Sequence, residues 1–190
     1  IDNDGEYGPD TGVLHGTAVA GLIGAETNNG IGIASLGWEV RVMALQTHDD
    51  EGWATYFDMG AAIEYATAMG AQVINLSTSG PYSTIIQTPI DAAYAQDCVI
   101  VAAAGNEQSD LDVEPQSPVC NDGGANRVVG VAATDDQDYL AYFSNYGSNW
   151  IDLCAPGVEM LSTWYLNPTY GLDNAYGLGD GTSFAAPLVS

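Results

Sequence analysis

The chain has 190 residues, 46% of them hydrophobic, enough for one domain with a sizeable core and too few to divide comfortably into two. Its 25 acidic residues face only two basic ones, Arg41 and Arg127; the net charge of −23 excludes nucleic acid as a partner, because phosphate binding works through cations that displace counterions. No stretch approaches the roughly 18 apolar residues that would cross a bilayer, so no membrane partner is expected.

In chain order, apolar runs alternate with helical patterns. Residues 40–45, 72–76, 99–104 and 128–133 each read as a buried strand rich in β-branched residues and alanine. Residues 56–69 carry Phe57, Ala61, Ile63 and Ala66 at helical spacing, and Gly70 supplies a stop. Residues 89–96 form a second predicted helix, opened by Pro89, whose missing N–H costs nothing in a first turn. Residues 109–125 are acidic and loop-like, punctuated by prolines and glycines. This rhythm predicts one α/β domain: three layers around a doubly wound, mostly parallel sheet, with its active site beyond the carboxyl ends of the strands. Cys98 and Cys154 fall in apolar strand-like runs where buried thiols are common. Cys120 has no partner fixed by spacing, and no zinc-like pattern occurs.

The charge carries an expectation of its own. Carboxylates this numerous repel one another, and salt suppresses that repulsion as the Debye length shortens. A chain adapted to high salt should therefore unfold at higher denaturant concentration in about 1 M than in about 0.1 M NaCl. Equal midpoints would leave a solubilising acidic surface as the whole account.

Three short segments carry chemistry. The first, His15-Gly16-Thr17-Ala18-Val19-Ala20-Gly21, leads into a helix with Val19, Leu22 and Ile23 on its apolar side. The second is residues 102–107, Ala-Ala-Ala-Gly-Asn-Glu, at the end of the third strand. The third is residues 181–187, Gly-Thr-Ser-Phe-Ala-Ala-Pro. Each alone has a plain reading as a cap or a turn. Together they supply what acyl transfer needs. A serine at a helix N-terminus is a nucleophile with its own N–H aimed outward. A histidine is a base near neutral pH, and an asparagine amide is a donor for a developing oxyanion.

HGTAVAG, AAAGNE and GTSFAAP resemble the histidine, oxyanion-hole and serine motifs of the subtilisin-like serine peptidases, and the triad logic that follows is that family's. Residues 73–77 (VINLS), 143–147 (FSNYG) and 155–158 (APGV) resemble further stretches of the family. The resemblance implies a serine endopeptidase working through an acyl-enzyme. His15 would be general base, Ser183 nucleophile and Asn106 oxyanion donor. Ser77, Thr78, Ser79 and Gly80 would form one wall of the substrate cleft, with Ala103, Ala104 and Gly105 as the other. Such walls bind a substrate backbone as an added strand. The same likeness associates Gly52 and Trp53 with the opposite edge, and implies a wide pocket whose base comes from residues 109–126.

It also implies a structural calcium ion at Thr27, Asn29, Ile31 and Ile33, with no cofactor for the chemistry itself. Protein or peptide substrates, a propeptide in the precursor, a monomeric state and a secreted, extracellular location follow from the same likeness. The family's triad aspartate does not fall at a matching position. Asp2 and Asp10 precede His15, and Asp10-Thr11-Gly12 spells the local pattern, but it lies five residues before the histidine with no apolar strand leading into it. Asp10 is read as a loop or metal-ligand residue. The expectation is a catalytic domain cut short at both ends, its acid upstream, and inactive in isolation. A homologue that binds peptides without cleaving them is the alternative, and an acid-acting relative with a carboxylate base a third reading that His15 opposes.

Overall fold

A computed structural model of the protein describes residues 11–49, 53–166 and 175–190, without the side chains of residues 11–14. Along the chain run α1 (Thr11–Gly24), α2 (Tyr56–Ala68), β1 (Val73–Leu76), β2 (Gly80–Pro81), α3 (Gln87–Tyr94), β3 (Val99–Ala103), β4 (Gln116–Ser117), β5 (Val128–Thr134), β6 (Leu153–Pro156), β7 (Met160–Thr163), β8 (Tyr176–Gly179) and α4 (Thr182–Val189). A parallel sheet of order β1-β3-β5-β6 forms the middle layer, with Ile74 opposite Ile100 and Ile100 opposite Val128. Two antiparallel pairs, β2 with β4 and β7 with β8, flank it.

Alternation along β3 assigns the two faces. Ile100 and Ala102 join Ile63, Ile86 and Ile90 in the core beneath α2 and α3, whereas Val101 and Ala103 meet Val131, Ala185 and Ala186 beneath α4. Each of these isoleucines is almost wholly buried, which contributes about 1.5–3 kcal/mol per side chain. The α/β, three-layer architecture is thus the one the pattern predicts.

Local chemistry sets the helix ends. Thr55 precedes α2 in an extended conformation (φ −88°, ψ 152°), and its hydroxyl oxygen accepts from Asp58 N at 3.1 Å. The helix stops at Gly70, which turns at φ +80°.

Four expectations are corrected. Residues 40–45 form no strand: no neighbour among the described residues pairs with them, and Val40, Val42, Met43 and Leu45 are exposed. On α2 the buried face is Met59, Ile63 and Ala66, which join the core with Ile86 and Ile90, while Phe57 and Ala61 are exposed on the other side of the helix. α3 begins at Gln87, so Pro89 lies within its first turn. Cys154 is exposed, on β6 at the end of the sheet order, where Ala155 alone of the four strand residues is buried; Cys98 and Cys120 are buried, and all three are free thiols.

Candidate active site

The carboxyl ends of neighbouring strands β1 and β3 open into the two segments predicted to carry the cleft. Leu76 runs on into Ser77, and Ala103 into Ala104-Gly105-Asn106. Residues 77–79 form no ladder, whereas Gly80 joins β2 and faces Ser117 of β4. Ser77, Thr78, Ser79 and Gly80 are half-buried; Ala103, Ala104 and Gly105 are buried.

α4 points its N-terminus into this opening. Gly181 caps it at φ 148°, ψ 157°, a conformation that side-chain-bearing residues rarely adopt, and its N–H is fixed by Gly157 O at 2.8 Å. Ser183 follows in the first turn. Its hydroxyl donates to Ser77 O at 3.2 Å, and the Ser77 hydroxyl donates to Ser183 O at 2.8 Å. Ser183 and Ser77, 106 positions apart, are therefore clasped together by two hydrogen bonds.

Asn106 is exposed at the end of β3. Its Oδ1 accepts from Thr182 N at 2.9 Å and from the Thr182 hydroxyl at 3.0 Å. With the carbonyl end of the amide so occupied, the Nδ2 end lies against Gly181, where a Cβ would be 3.4 Å from Nδ2 and 3.7 Å from Ser183 N. Thr182, fully buried, also accepts from Gly105 N at 3.0 Å. A second buried residue fixes the same loop. Asn145 accepts from Glu107 N (3.0 Å) and Ser109 N (2.8 Å), and donates to Ala104 O (3.0 Å) and Glu107 Oε2 (2.7 Å). Sequence reasoning quoted both residues inside motifs without giving either a role. The signal available was a polar residue in an otherwise small or apolar motif, which in a buried setting must be satisfied by its neighbours.

His15 lies one turn into α1, not at its start. The helix is held down by hydroxyls of β7: Ser162 donates to Ala18 O at 2.6 Å and Thr163 to Thr17 O at 2.8 Å. Gly21 permits this, because a Cβ there would lie 2.7 Å from the Ser162 hydroxyl oxygen. Ala18 and Leu22 pack on Phe184, and the His15 ring meets Phe184 edge-on at 6.3 Å between centroids. The histidine is thus brought beside the residue that follows Ser183. Burial, and secondarily the like charge of His48, hold its pKa below the ordinary histidine range. At neutral pH it is unprotonated and able to accept a proton. The Ser183 hydroxyl is directed at Ser77 O, so proton transfer to His15 requires it to leave that carbonyl.

Asp2, Asp10 and Gly52 lie outside the described residues. Trp53 is exposed, next to the bridge between His48 and Ala54. In the loop holding Thr27, Asn29, Ile31 and Ile33, Asn29 Oδ1 accepts from Ile31 N at 2.9 Å, and Ile31 is 72% exposed. A calcium ion takes six to eight oxygens, carboxylates prominent among them. This loop offers neutral oxygens alone, and no cluster of three or more acidic, His or Cys side chains occurs among the described residues. The calcium assignment to Thr27, Asn29, Ile31 and Ile33 therefore rests on the family resemblance alone.

Comparison with known proteins shows the family. The chain is 40% identical over 191 residues to a thermophilic serine proteinase of Bacillus sp. (strain AK1), covering all of this chain and 43% of that protein. It is 35% identical to thermitase of Thermoactinomyces vulgaris, covering 62% of it, and 36% identical to halolysin of Haloferax mediterranei, covering 34%. The chain therefore spans less than two thirds of the length of these relatives. Among solved structures, a cold-adapted subtilisin-like serine proteinase superimposes with a TM-score of 0.77 at 28% identity, over 93% of this chain and 58% of the other. The sequence model of the subtilase family matches residues 2–190, and this chain belongs to that family.

Proposed function

We propose that the protein is a serine endopeptidase that hydrolyses peptide bonds through an acyl-enzyme. The observation that carries this is the convergence of three distant motifs at one end of the sheet: Ser183 on the N-terminus of α4, Asn106 oriented by Thr182, and His15 against Phe184.

A substrate would add as a strand along residues 77–79, with its scissile residue between that wall and residues 103–105. His15 takes the Ser183 proton as the hydroxyl oxygen attacks the scissile carbonyl. The oxyanion that forms accepts from the Ser183 N–H and the Asn106 Nδ2. Collapse expels the amine, which takes the proton from His15, and water repeats the sequence on the acyl-enzyme. The acid that orients His15 is not among the described residues, and no step here is assigned to one.

Residues 109–125 reach the cleft through β4, and Gln116 donates to Glu107 Oε2 at 3.1 Å beside the second wall, which supports their part in the pocket base. Relatives named as extracellular proteases, from Dichelobacter nodosus and Xanthomonas campestris, support an extracellular setting. Covalent labelling of the full-length gene product by a serine-directed fluorophosphonate, lost in Ser183→Ala, tests the proposal.

A further inference from the structure

The chain has two histidines, and one of them belongs to no motif. His48 closes the extended segment that follows residue 40. It pairs with Ala54 across a β-bridge, and beside it Asp49 N donates to Trp53 O at 2.9 Å while Trp53 N donates to Asp49 Oδ1 at 2.7 Å. The ring is half-buried between two hydroxyls, with Nδ1 3.0 Å from Thr47 Oγ1 and Nε2 3.4 Å from Thr78 Oγ1. Thr78 is the middle residue of the first cleft wall, next to the Ser77 that clasps Ser183. The remaining edge of the ring faces an open groove of about 700 Å³.

The charge of that groove is one-sided. Asp49 on the same segment and Asp58 on α2 line it, as does the phenol of Tyr65. Among the described lining residues His48 is the one group that can become a cation. In a chain of net charge −23, a carboxylate on a substrate meets repulsion nearly everywhere, and protonated His48 offers it a local exception. Successive side chains of an added strand point to opposite faces. If the scissile residue turns into the pocket between residues 77–80 and 103–105, the residue before it turns toward the side that carries His48.

We propose that His48 is a specificity-determining residue, whose protonated ring lets the cleft accept a carboxylate side chain at the substrate position preceding the scissile residue. The assignment rests on the peptidase function proposed above. Burial holds the His48 pKa below the ordinary histidine range, with Asp49 opposing that shift. The neutral ring therefore dominates at neutral pH, where glutamate and glutamine at that position are told apart only by repulsion. The cation appears as the pH falls.

The test uses the full-length gene product and two peptides that differ only in Glu or Gln before the scissile residue. The ratio of their kcat/KM values is followed from about pH 8 to about pH 5, where the peptide glutamate stays largely ionised. Titration of His15 slows both peptides alike and cancels in the ratio. The Glu/Gln ratio is expected to rise about two- to fivefold as the pH falls, the size of a partly exposed ion pair. It should be flat in His48→Gln, and raised at every pH in His48→Lys, a response that loss of packing would not produce. A flat ratio in the parent, or a rise that survives His48→Gln, overturns the proposal. If the folded full-length protein cleaves neither peptide, the peptidase function itself fails and the proposal with it.

Discussion

Asn106→Ala is expected to lower kcat by about 10²–10³ with little change in KM, the size established for an oxyanion donor in subtilisin itself and carried over through the family likeness. The physical reason lies in how the amide is held. Thr182 N and the Thr182 hydroxyl both donate to Oδ1, which leaves Nδ2 as the free end of the amide. A donor fixed in advance costs no reorganisation when charge develops on the substrate oxygen, and it makes little difference to the uncharged ground state. The loss should therefore appear in kcat. Steady-state kinetics on any cleaved peptide decides it, and a kcat within about fivefold of the parent would remove Asn106 from the oxyanion site. Removing Oδ1 also frees two Thr182 donors, so a modest fall in stability should accompany the kinetic effect.

Gly130→Ala is expected to destabilise the protein by about 3 kcal/mol or more. Gly130 lies in the middle of β5, where the backbone of residues 150–152 crosses directly over it. Gly130 N donates to Asp152 Oδ2 and Asp152 N donates to Gly130 O, both at 2.9 Å. A Cβ there would press on the Trp150 carbonyl group, with its carbon at 3.0 Å, and on Val119 Cγ2 at 2.9 Å. Backbone on one side and a buried side chain on the other leave no cheap relaxation. The effect would reach the site as well, since Ala104 N donates to the carbonyl of the next residue, Val131, at 2.9 Å. Denaturant unfolding of parent and variant measures it; a difference under about 1 kcal/mol would mean that residues 150–152 move aside freely.

Much of this was legible in the sequence, for identifiable reasons. Strands bearing Ile100 and Val131 are buried on both faces, so their unbroken apolar runs announced a parallel sheet. Motifs bounded by glycine marked the places where backbone must turn sharply or approach closely, and those are the places where Asn106 and Ser183 now sit. Residues 40–45 carried the same apolar signal and formed no strand. Composition reports the capacity to be buried, not the presence of a neighbour to pair with. Cys154 was misplaced on the same ground, since a run of residues cannot say which strand lies at the end of the sheet order. Asn145 and Thr182 were seen as letters of motifs, but their work depends on contacts 41 and 77 residues away, invisible to any local pattern. His48 is the extreme case. Nothing around it in sequence distinguishes it, and only the fold sets it against Thr78, 30 residues on.

The most direct measurement is reaction of the full-length gene product with a fluorophosphonate probe, beside Ser183→Ala and His15→Ala. The account predicts covalent labelling of the parent at Ser183 and its loss in both variants, because the serine is nucleophilic only with a base to take its proton. A well-folded full-length protein that takes no label, or one labelled equally in Ser183→Ala, would contradict the assignment; the first result would favour a cleft that binds peptides without cutting them.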